Sequence, residues 1–320
     1  MKRTDVAAAV LLREDGSFLL GRRPAGTFYA GYWEFPGGKV EAGETPYAAL
    51  VRELDEELGI RVTDEAPAAP WLVREHVYEH AHVRLHFFRI RHWQGEVRDL
   101  QHDALSWQSP AAVDVRPLLP ANAPVLAALR LPEVYAITQA GVLGMARQLV
   151  LLERALARGV RLIQLREPVL TAEERLEFAL SAVQICHQYG ARLLVNDDAE
   201  LARRCAADGL HLPARRLQAL DQRPDFPLLA ASCHDAEELA QAARLGVDFA
   251  VLGPVQATVS HPGQAGLGWA QCAALLHHSS LPVYALGGLS PADLPQAWQV
   301  GAHGIAAIRA IWQSGQATET

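Results

Sequence analysis

Residues 38–60 read GKVEAGETPYAALVRELDEELGI, and the second half of this stretch predicts an amphipathic helix. Three leucines recur at helical spacing and form one apolar stripe: Leu50, Leu54 and Leu58. Thr45 is a suitable N-cap and Pro46 is favoured at the first helical position, so we expect the helix to begin here. One face of the helix is therefore buried, and the opposite face is available for chemistry.

Three glutamates crowd that opposite face, because Glu53, Glu56 and Glu57 fall at positions i, i+3 and i+4. A hard divalent cation relieves their repulsion, since Mg²⁺ and Mn²⁺ take oxygen ligands from carboxylates and from a nucleotide pyrophosphate. Gly37 and Gly38 permit a close approach of the backbone to phosphates. The stretch predicts a metal-binding helix beneath a phosphorylated substrate, and a solvated acidic helix is the alternative.

The pattern of apolar and polar residues changes near residue 130, after a proline-rich connection. Before it, β-like runs accompany the glutamate helix, at residues 5–12, 17–20 and 83–92. Strands and one helix joined by long loops indicate an α+β domain with a mixed sheet. We therefore expect a first domain at residues 1–130 and a second at residues 131–320.

The second half alternates short apolar runs with helical stretches rich in alanine, leucine and arginine. Eight such runs follow one another: Val134–Thr138, Leu162–Leu165, Leu193–Asn196, Gly209–Leu212, Leu228–Ser232, Phe249–Leu252, Val283–Leu286 and Gly304–Ile308. Each is typical of a buried parallel strand, and eight βα repeats are what a closed (β/α)8 TIM barrel requires. A doubly wound open sheet is the alternative.

The composition excludes several classes of protein. Lysine and arginine number 29 against 36 acidic residues, a net charge of −7, which disfavours binding of a nucleic acid polymer. The longest N-terminal apolar run, residues 6–12, is too short to span a membrane and lacks a cleavage pattern, so we expect no membrane contact. The four cysteines lack paired spacing, which favours a reducing, cytoplasmic location. The oligomeric state stays open.

The glutamate helix and the glycines before it match each position of the Nudix box, Gly-x5-Glu-x7-Arg-Glu-U-x-Glu-Glu-x-Gly-U, in which U is aliphatic. The first domain therefore resembles a Nudix hydrolase, an enzyme that cuts nucleoside diphosphates linked to a further group. The resemblance implies that Mg²⁺ or Mn²⁺ is held by four residues: Gly38, Glu53, Glu56 and Glu57. It also implies that Glu53, or alternatively Glu44, activates the attacking water and that Arg52 orients the catalytic glutamate.

Residues 32–39 and 43–46 resemble the MutT branch, which cleaves 8-oxo-dGTP to the monophosphate and pyrophosphate and so serves DNA repair. This resemblance implies a nucleoside triphosphate as the substrate. The residues expected to bind it are Arg23, Phe35, Gly37, Gly38, Lys39, Tyr78 and Asn122. Phe35 and Tyr78 are expected to pack on the base. Asn122 can donate and accept hydrogen bonds at once, which suits the altered edge of an oxidised purine.

One position departs from the MutT pattern. Where those proteins carry a further acidic metal ligand, this chain has Gln101, with Asp103 as a nearby substitute. A group of histidines also raises the question of zinc: His76, His80, His82 and His86. Because no cysteine or HExxH motif accompanies them, we interpret them as residues of a half-exposed hairpin strand.

Polar residues follow the predicted strands of the second half, at the end of the barrel where its sites lie. Arg166 and Asn196 close the second and third strands and are candidate ligand-binding residues. Gly287 and Gly288 follow the seventh strand and offer backbone N–H groups to a phosphate. A phosphorylated ligand is therefore expected, beneath a glycine-rich loop at residues 263–268.

Residues 135–306 resemble the thiamine phosphate synthase and TenI superfamily, from YAIT at residue 135 to GIA at residue 304. Pro168 and His261 stand where the synthase has lysines that bind pyrophosphate. Residues 213–216, PARR, replace an acidic metal-binding residue. We expect these losses to weaken binding of a pyrimidine pyrophosphate.

Three roles for the barrel stay open. It is a divergent synthase, a TenI-like thiazole tautomerase in which His234 moves the proton, or a noncatalytic module that binds thiazole phosphate or another thiamine-pathway ligand. A further interpretation joins the halves, with the Nudix unit cleaving thiamine-pathway pyrophosphates. The sequence favours Mg²⁺-dependent hydrolysis of 8-oxo-dGTP, fused to a barrel of open activity.

Overall fold

The computed structural model describes residues 3–257 and 266–313. The chain divides into two compact units, Met1–Leu131 with His277–Ser280 and Pro132–Leu276 with Leu281–Thr320. Among the described residues, no helix combines the length and the apolar character that crossing a membrane requires.

The first unit contains two sheets and a long helix. Its strands and helices are β1 Arg3–Leu11, β2 Phe18–Arg22, β3 Trp33–Glu34, β4 Gly37–Lys39, α1 Pro46–Leu58, β5 Ala69–Val77, β6 His82–Ile90, β7 Ala104–Gln108 and α2 Ala123–Leu129. One sheet has the order β4-β1-β6-β5 and the other the order β3-β2-β7. Strand β1 is parallel to β6 and antiparallel to β4, so the sheet is mixed, as predicted.

Helix α1 begins and ends where the sequence predicts. The Thr45 hydroxyl accepts a hydrogen bond from the Ala48 N–H at 3.1 Å, and Gly59 ends the helix with φ of 66°. The predicted leucine stripe is fully buried in the same core as alternate residues of β1. Burial of each leucine contributes about 1.5–3 kcal/mol, which holds the glutamates on the outer face.

Strand β4 approaches β1 closely because residue 37 has no side chain. Gly37 has φ of 139°, and a Cβ there would overlap the carbonyl group of Ala7. The glycine therefore allows the pairing of Ala7 with Gly38 and of Ala8 with Gly37. This register brings Gly38 to the glutamate face of α1.

Strands β5 and β7 are not foreseen by the pattern of apolar runs. Three of the nine residues of β5 are charged or polar, Arg74, Glu75 and His76, and its pairing with β6 shifts between Pro70 and Leu72. A bulge and three consecutive polar residues interrupt the apolar pattern that a hydrophobicity criterion needs. The strands that were predicted in this unit differ from the observed ones by one or two residues at their ends.

The second unit is a closed barrel of eight parallel strands, and the eight predicted strands are confirmed. The elements are β8 Val134–Ile137, α3 Ala140–Leu143, α4 Met145–Ala157, β9 Leu162–Leu165, α5 Ala172–Gln188, β10 Arg192–Asn196, α6 Ala199–Arg204, β11 Gly209–Leu212, α7 Ala214–Gln218, β12 Leu228–Cys233, α8 Ala236–Leu245, β13 Phe249–Leu252, α9 Gly268–Leu276, β14 Val283–Leu286, α10 Leu294–Gln299, β15 Gly304–Ala307 and α11 Arg309–Gln313. The alternative of an open sheet is wrong, because β15 pairs with β8 and closes the ring.

Side chains fill the interior of the barrel. The rings of Tyr135, Phe249 and Tyr284 pack together, with centroids 5.1 to 5.8 Å apart. His211 Nε2 lies 2.8 Å from the Ser232 hydroxyl, and burial lowers the pKa of His211 to about 3, so this histidine is neutral. Because the interior is packed, the ends of the strands are where a ligand can bind.

Candidate functional site

Arg52 connects the glutamates of α1 to the loop before the helix. Its Nη1 donates to Glu53 Oε1 at 2.8 Å, and its Nε and Nη2 donate to the two carboxylate oxygens of Glu44 at 3.1 Å each. Nη2 also donates to the backbone carbonyl of Lys39 at 3.1 Å. The hydrogen bonds to Glu44 and Glu53 raise the pKa of Arg52. A charged guanidinium therefore orients both candidate bases.

The carboxylate of Glu53 lies directly against the backbone of Gly38. A Cβ at residue 38 would come within 3.0 Å of all three carboxylate atoms. The Glu53 side chain is 14% exposed, so this contact largely covers it. The structure thus brings together two residues that the sequence predicts as metal ligands from opposite ends of the box.

Glu57 is the buried member of the glutamate face. Its Oε2 accepts a hydrogen bond from the Gly37 N–H at 2.9 Å. Burial raises the pKa of Glu57 to about 8, and the nearby Glu53 and Glu34 add to the rise. The hydrogen bond from Gly37 and the charge of Arg23 oppose this rise in pKa but do not cancel it.

His102 lies beside Glu57 and is a site residue that the sequence did not reveal. Its Nε2 lies 3.9 Å from Glu57 Oε2, its side chain is 4% exposed, and burial lowers its pKa. Gly21 on β2 makes room for the ring, since a Cβ there would overlap it. The adjacent Gln101 donates from its amide to the Glu56 carbonyl at 3.3 Å, whereas Asp103 is exposed.

The donor set of the box fits a hard divalent cation. Within residues 3–257 and 266–313, no three His, Cys, Asp or Glu side chains are gathered as a formed metal site. Arg52 accounts for this at the box, because it lies 2.8 Å from Glu53 and 3.5 Å from Glu56 and balances their charge. Carboxylate oxygens are the ligands that Mg²⁺ and Mn²⁺ prefer, and Glu53, Glu56 and Glu57 supply three such groups from one helix.

Arg23, a predicted substrate residue, is held by a carboxylate. Its Nη1 donates to both oxygens of Glu34, at 2.6 and 2.7 Å, and its Nε donates to the Phe28 carbonyl at 2.7 Å. Burial raises the pKa of Glu34, and the guanidinium opposes that rise. Glu34 was not singled out from the sequence. Its partner Arg23 lies eleven residues away, and the pairing of β2 with β3 brings the two together.

The prediction that Phe35 packs on a base is wrong. Phe35 is 4% exposed, and its ring lies in the core, with centroids 5.7 Å from Phe18 and 5.8 Å from Phe87. Phe35 directly follows β3 and lies two residues beyond the buried Trp33, in the same core cluster. Tyr78 instead lies in a half-exposed aromatic group with Tyr29 and His80, and burial raises its pKa to about 12.

Asn122 is buried in a short 3₁₀ helix, and its Nδ2 donates to the Trp33 carbonyl at 3.3 Å. The backbone of the neighbouring Ala121 lies near enough to Tyr78 to affect the pKa of its hydroxyl, so Asn122 and Tyr78 lie in the same region. The structure therefore brings together two of the residues predicted to contact the base. Lys39 is exposed at the end of β4.

The histidines of the β5–β6 hairpin serve the sheet. His82 lies 3.2 Å from Glu75, and His86 lies 2.8 Å from Asp5. His80 is outside the strands and stacks on the exposed Phe28, with a centroid distance of 4.1 Å. His80 therefore lies in the turn of the hairpin and not on a strand as predicted, and the pairings of His82 and His86 support a structural role for these two.

The predicted phosphate-binding glycines follow β14. Gly287 has φ of 114° and Gly288 has φ of 69°, so both require a residue without a side chain. A Cβ on Gly287 would also overlap Pro254, which shows how tightly the two loops pack. His261 and residues 263–265 of the predicted loop lie outside the described residues.

A cavity of about 680 Å³ opens at the carboxyl ends of β9, β10 and β11. Arg166 and Asn196, the two candidate ligand-binding residues of the strand ends, line it. Glu167, also in the lining, is buried and accepts from the Ala140 and Gly141 N–H groups at 2.6 and 2.8 Å. Both oxygens of its carboxylate therefore bind backbone N–H groups at the start of α3.

His234 follows β12, at the same end of the barrel. Its Nδ1 lies 2.8 Å from Glu238 Oε2, which also accepts from the His234 backbone N–H at 2.7 Å. The imidazole is 57% exposed, whereas Glu238 is 10% exposed. A carboxylate that fixes one ring nitrogen leaves the other facing solvent, an arrangement suited to proton transfer.

Comparison with known proteins finds a different family for each of the two units. The family model for the NUDIX domain matches residues 1–129, and that for thiamine monophosphate synthase (TMP-TENI) matches residues 134–311. A CTP pyrophosphohydrolase of Escherichia coli is 42% identical over 134 residues, 40% of this chain and 92% of that protein. A thiamine-phosphate synthase of Thermobifida fusca is 38% identical over 170 residues, 51% of this chain and 77% of that protein. The solution structure of the E. coli ORF135 protein covers 39% of this chain and 87% of its own, at 39% identity and a TM-score of 0.34.

Proposed function

We propose a substrate for each unit, starting from the families to which the chain belongs. Residues 1–129 belong to the NUDIX family, and residues 134–311 belong to the thiamine monophosphate synthase family. The first unit is a pyrophosphohydrolase that cleaves 8-oxo-dGTP, with Mg²⁺ or Mn²⁺, to 8-oxo-dGMP and pyrophosphate. The observation that carries this proposal is the Glu53 carboxylate, held by Arg52 and lying against Gly38.

Each residue of the box has its own task in this reaction. Glu53 accepts the proton of the attacking water, and Arg52 fixes the direction of its carboxylate. Glu53, Glu56 and Glu57 would hold the cation, which when bound supplies positive charge at the phosphates. The Gly37 N–H holds the Glu57 carboxylate towards β4. Glu44 is the alternative base, because it bonds the same guanidinium.

The base of the nucleotide is proposed to bind near Asn122 and Tyr78. These residues are neighbours, and the bond from Asn122 Nδ2 to Trp33 fixes the side-chain amide. A fixed amide distinguishes bases by their donors and acceptors more sharply than an apolar pocket does. The similarity to a CTP pyrophosphohydrolase favours CTP as a second candidate substrate.

A substrate panel tests the proposal. The full chain is assayed with Mg²⁺ for release of pyrophosphate or phosphate from 8-oxo-dGTP, dGTP, CTP and thiamine pyrophosphate. We expect the highest kcat/KM with 8-oxo-dGTP. A higher value with CTP would transfer the assignment to the pyrimidine nucleotide. Comparable turnover of thiamine pyrophosphate, with no preference for 8-oxo-dGTP, would support the interpretation that joins both units in one pathway.

Asn122→Ala is expected to lower the ratio of kcat/KM for 8-oxo-dGTP over CTP by about 10-fold, because a buried hydrogen-bonding group that reads the base is lost. The ratio is measured in one preparation, so a partial loss of folded protein cancels. Gln108→Ala, which removes another buried amide of this unit, is the matched control and should leave the ratio unchanged. An unchanged ratio in Asn122→Ala would remove this residue from base recognition.

For the barrel we propose proton transfer on a phosphorylated thiazole, with His234 as the group that moves the proton. The pairing of its Nδ1 with Glu238 favours this role over the synthase reaction. Pro168 stands where the synthase resemblance requires a lysine, and residues 213–216, PARR, stand where it requires an acidic residue. Both changes remove groups needed for a pyrimidine pyrophosphate.

The barrel proposal is tested with the unaromatised thiazole carboxylate phosphate as the substrate, followed by NMR. We expect aromatisation by the full chain and a loss of at least about 10-fold in His234→Asn. His187→Asn is the matched control. His187 pairs with Asp208, which directly precedes β11 and so lies at the amino end of that strand, away from the carboxyl ends where His234 lies. Coupling of hydroxymethylpyrimidine pyrophosphate to thiazole phosphate would instead identify a synthase, and binding without turnover would identify a noncatalytic module.

A further inference from the structure

The cavity beside β9, β10 and β11 is rich in guanidinium groups. Five arginines line it: Arg166, Arg175, Arg203, Arg215 and Arg216. Three acidic residues line it as well: Glu167, Asp197 and Asp198. All of these residues belong to the second unit, and arginine is in excess.

The acidic residues of this cavity are already occupied. Arg216 Nε donates to Asp197 Oδ1 at 3.0 Å, and Arg215 Nη2 donates to Asp197 Oδ2. Asp198 Oδ1 accepts from the Leu201 N–H at 2.9 Å as the N-cap of α6. Glu167 uses both of its oxygens at α3. Asp197 and Glu167 therefore have both carboxylate oxygens engaged, and the five arginines of the lining outnumber its three acidic residues.

A divalent cation does not fit here. The synthase resemblance places an acidic metal-binding residue within residues 213–216, and this chain has two arginines there. Both guanidiniums contact Asp197, the carboxylate nearest to them. Two fixed positive charges on one carboxylate repel a cation and occupy the oxygens that it would need.

One arginine has a donor without an acceptor. Arg175, on the first turn of α5, lines the cavity, and its Nε is buried with no hydrogen-bond partner among the described residues. A buried donor left unpaired costs about 1–3 kcal/mol, so the protein's own acceptors do not saturate this guanidinium. The guanidinium fork matches phosphate oxygens in geometry and in charge.

We propose that this cavity binds the phosphate or diphosphate group of a small organic ligand directly through arginine, with no divalent cation. Arg216 supplies the positive charge that a metal ion supplies in the synthase. The ligand therefore binds equally well in the presence of a chelator. This inference concerns the second unit alone, so it stands whether or not the first unit hydrolyses 8-oxo-dGTP.

The test uses the full chain, with inorganic phosphate and pyrophosphate as separate probes, titrated calorimetrically in EDTA. We expect saturable binding of at least one probe, with a dissociation constant within about threefold of that measured with Mg²⁺. Tighter binding of phosphate indicates a monoester as the natural ligand, and tighter binding of pyrophosphate indicates a diphosphate. Hydrogen exchange locates the probe, and protection is expected in α5, α6 and α7 rather than in α1.

Arg216→Ala is expected to weaken the binding in EDTA by about 10-fold or more, because a charge-assisted contact is lost and Asp197 is partly released. Arg166→Ala serves as a second variant, because this exposed arginine also lines the cavity. Arg204→Ala is the matched control, since Arg204 lies on α6 next to Arg203 but outside the lining. Binding that requires Mg²⁺, protection confined to α1, or equal affinity in Arg216→Ala and Arg204→Ala would each overturn the proposal.

Discussion

Glu53→Gln is expected to lower kcat for hydrolysis of the nucleoside triphosphate by about two or more orders of magnitude. Glutamine has nearly the same shape, so it still fits between Arg52 and Gly38. It lacks the negative charge that accepts the proton of water and binds a divalent cation. The measurement is steady-state hydrolysis with Mg²⁺, with thermal unfolding of both proteins as the check on folding.

The matched control for this variant is Asp55→Asn on the same helix. Asp55 is about half exposed and pairs with Arg61 at 3.3 Å, away from the box. Its replacement should change kcat by less than about twofold. Near-normal turnover in Glu53→Gln would require another base, and Glu44→Gln would then be the informative variant because Glu44 bonds the same guanidinium.

Cation binding gives a readout of Glu53→Gln that does not depend on activity. Calorimetry with Mn²⁺ should show uptake by the wild-type chain and weaker uptake by the variant, since one of the carboxylates is lost. The absence of any uptake by the wild-type chain, with or without triphosphate, would contradict the interpretation of the box as a metal site.

The helix and the barrel strands were predictable because their signals are local. A cap, a leucine stripe and an ending glycine define α1 within fifteen residues, and a strand buried on both faces is an unbroken apolar run. Closure of the barrel follows from counting such runs. Strand β5 was not predictable in this way, because three consecutive polar residues and a bulge interrupt the pattern.

The candidate site was only partly predictable, because several of its contacts are tertiary. His102 lies 45 residues from Glu57 in the sequence, and only the folded chain brings the two together. Nothing in the sequence shows that Gly21, on β2, leaves space for the His102 ring. Phe35 shows the opposite case. Its neighbours in the sequence suggested a role in binding, but its ring packs in the core beside Phe18 and Phe87.

The replacement of an acidic residue by arginine in the barrel could be seen in the sequence, but its consequence could not. The sequence shows only that an expected ligand is lost. The structure adds that Arg215 and Arg216 both contact Asp197 and face a cavity with further arginines. The replacement that removes a metal ligand therefore adds positive charge to a cavity that already contains other arginines, and positive charge favours the binding of an anion.

Gly38→Ala is expected to lower kcat by about 100-fold while changing the free energy of unfolding by less than about 1 kcal/mol. The added Cβ would overlap the Glu53 carboxylate, which is the end of a flexible side chain and can move aside at small cost to the fold. Movement of that carboxylate away from Arg52 removes the oriented base, and catalysis falls steeply with small displacements. Hydrolysis rates and denaturant unfolding, measured on the same preparation, separate the two effects.

Gly37→Ala is the matched comparison, because its Cβ would meet the Ala7 backbone rather than a side chain. Backbone cannot move aside without breaking the pairing of β4 with β1, and φ of 139° adds strain for alanine. We expect this variant to lose at least about 2 kcal/mol of stability. If Gly38→Ala instead destabilises the chain as much as Gly37→Ala does, or keeps full activity, then Gly38 serves the sheet and does not shape the position of Glu53.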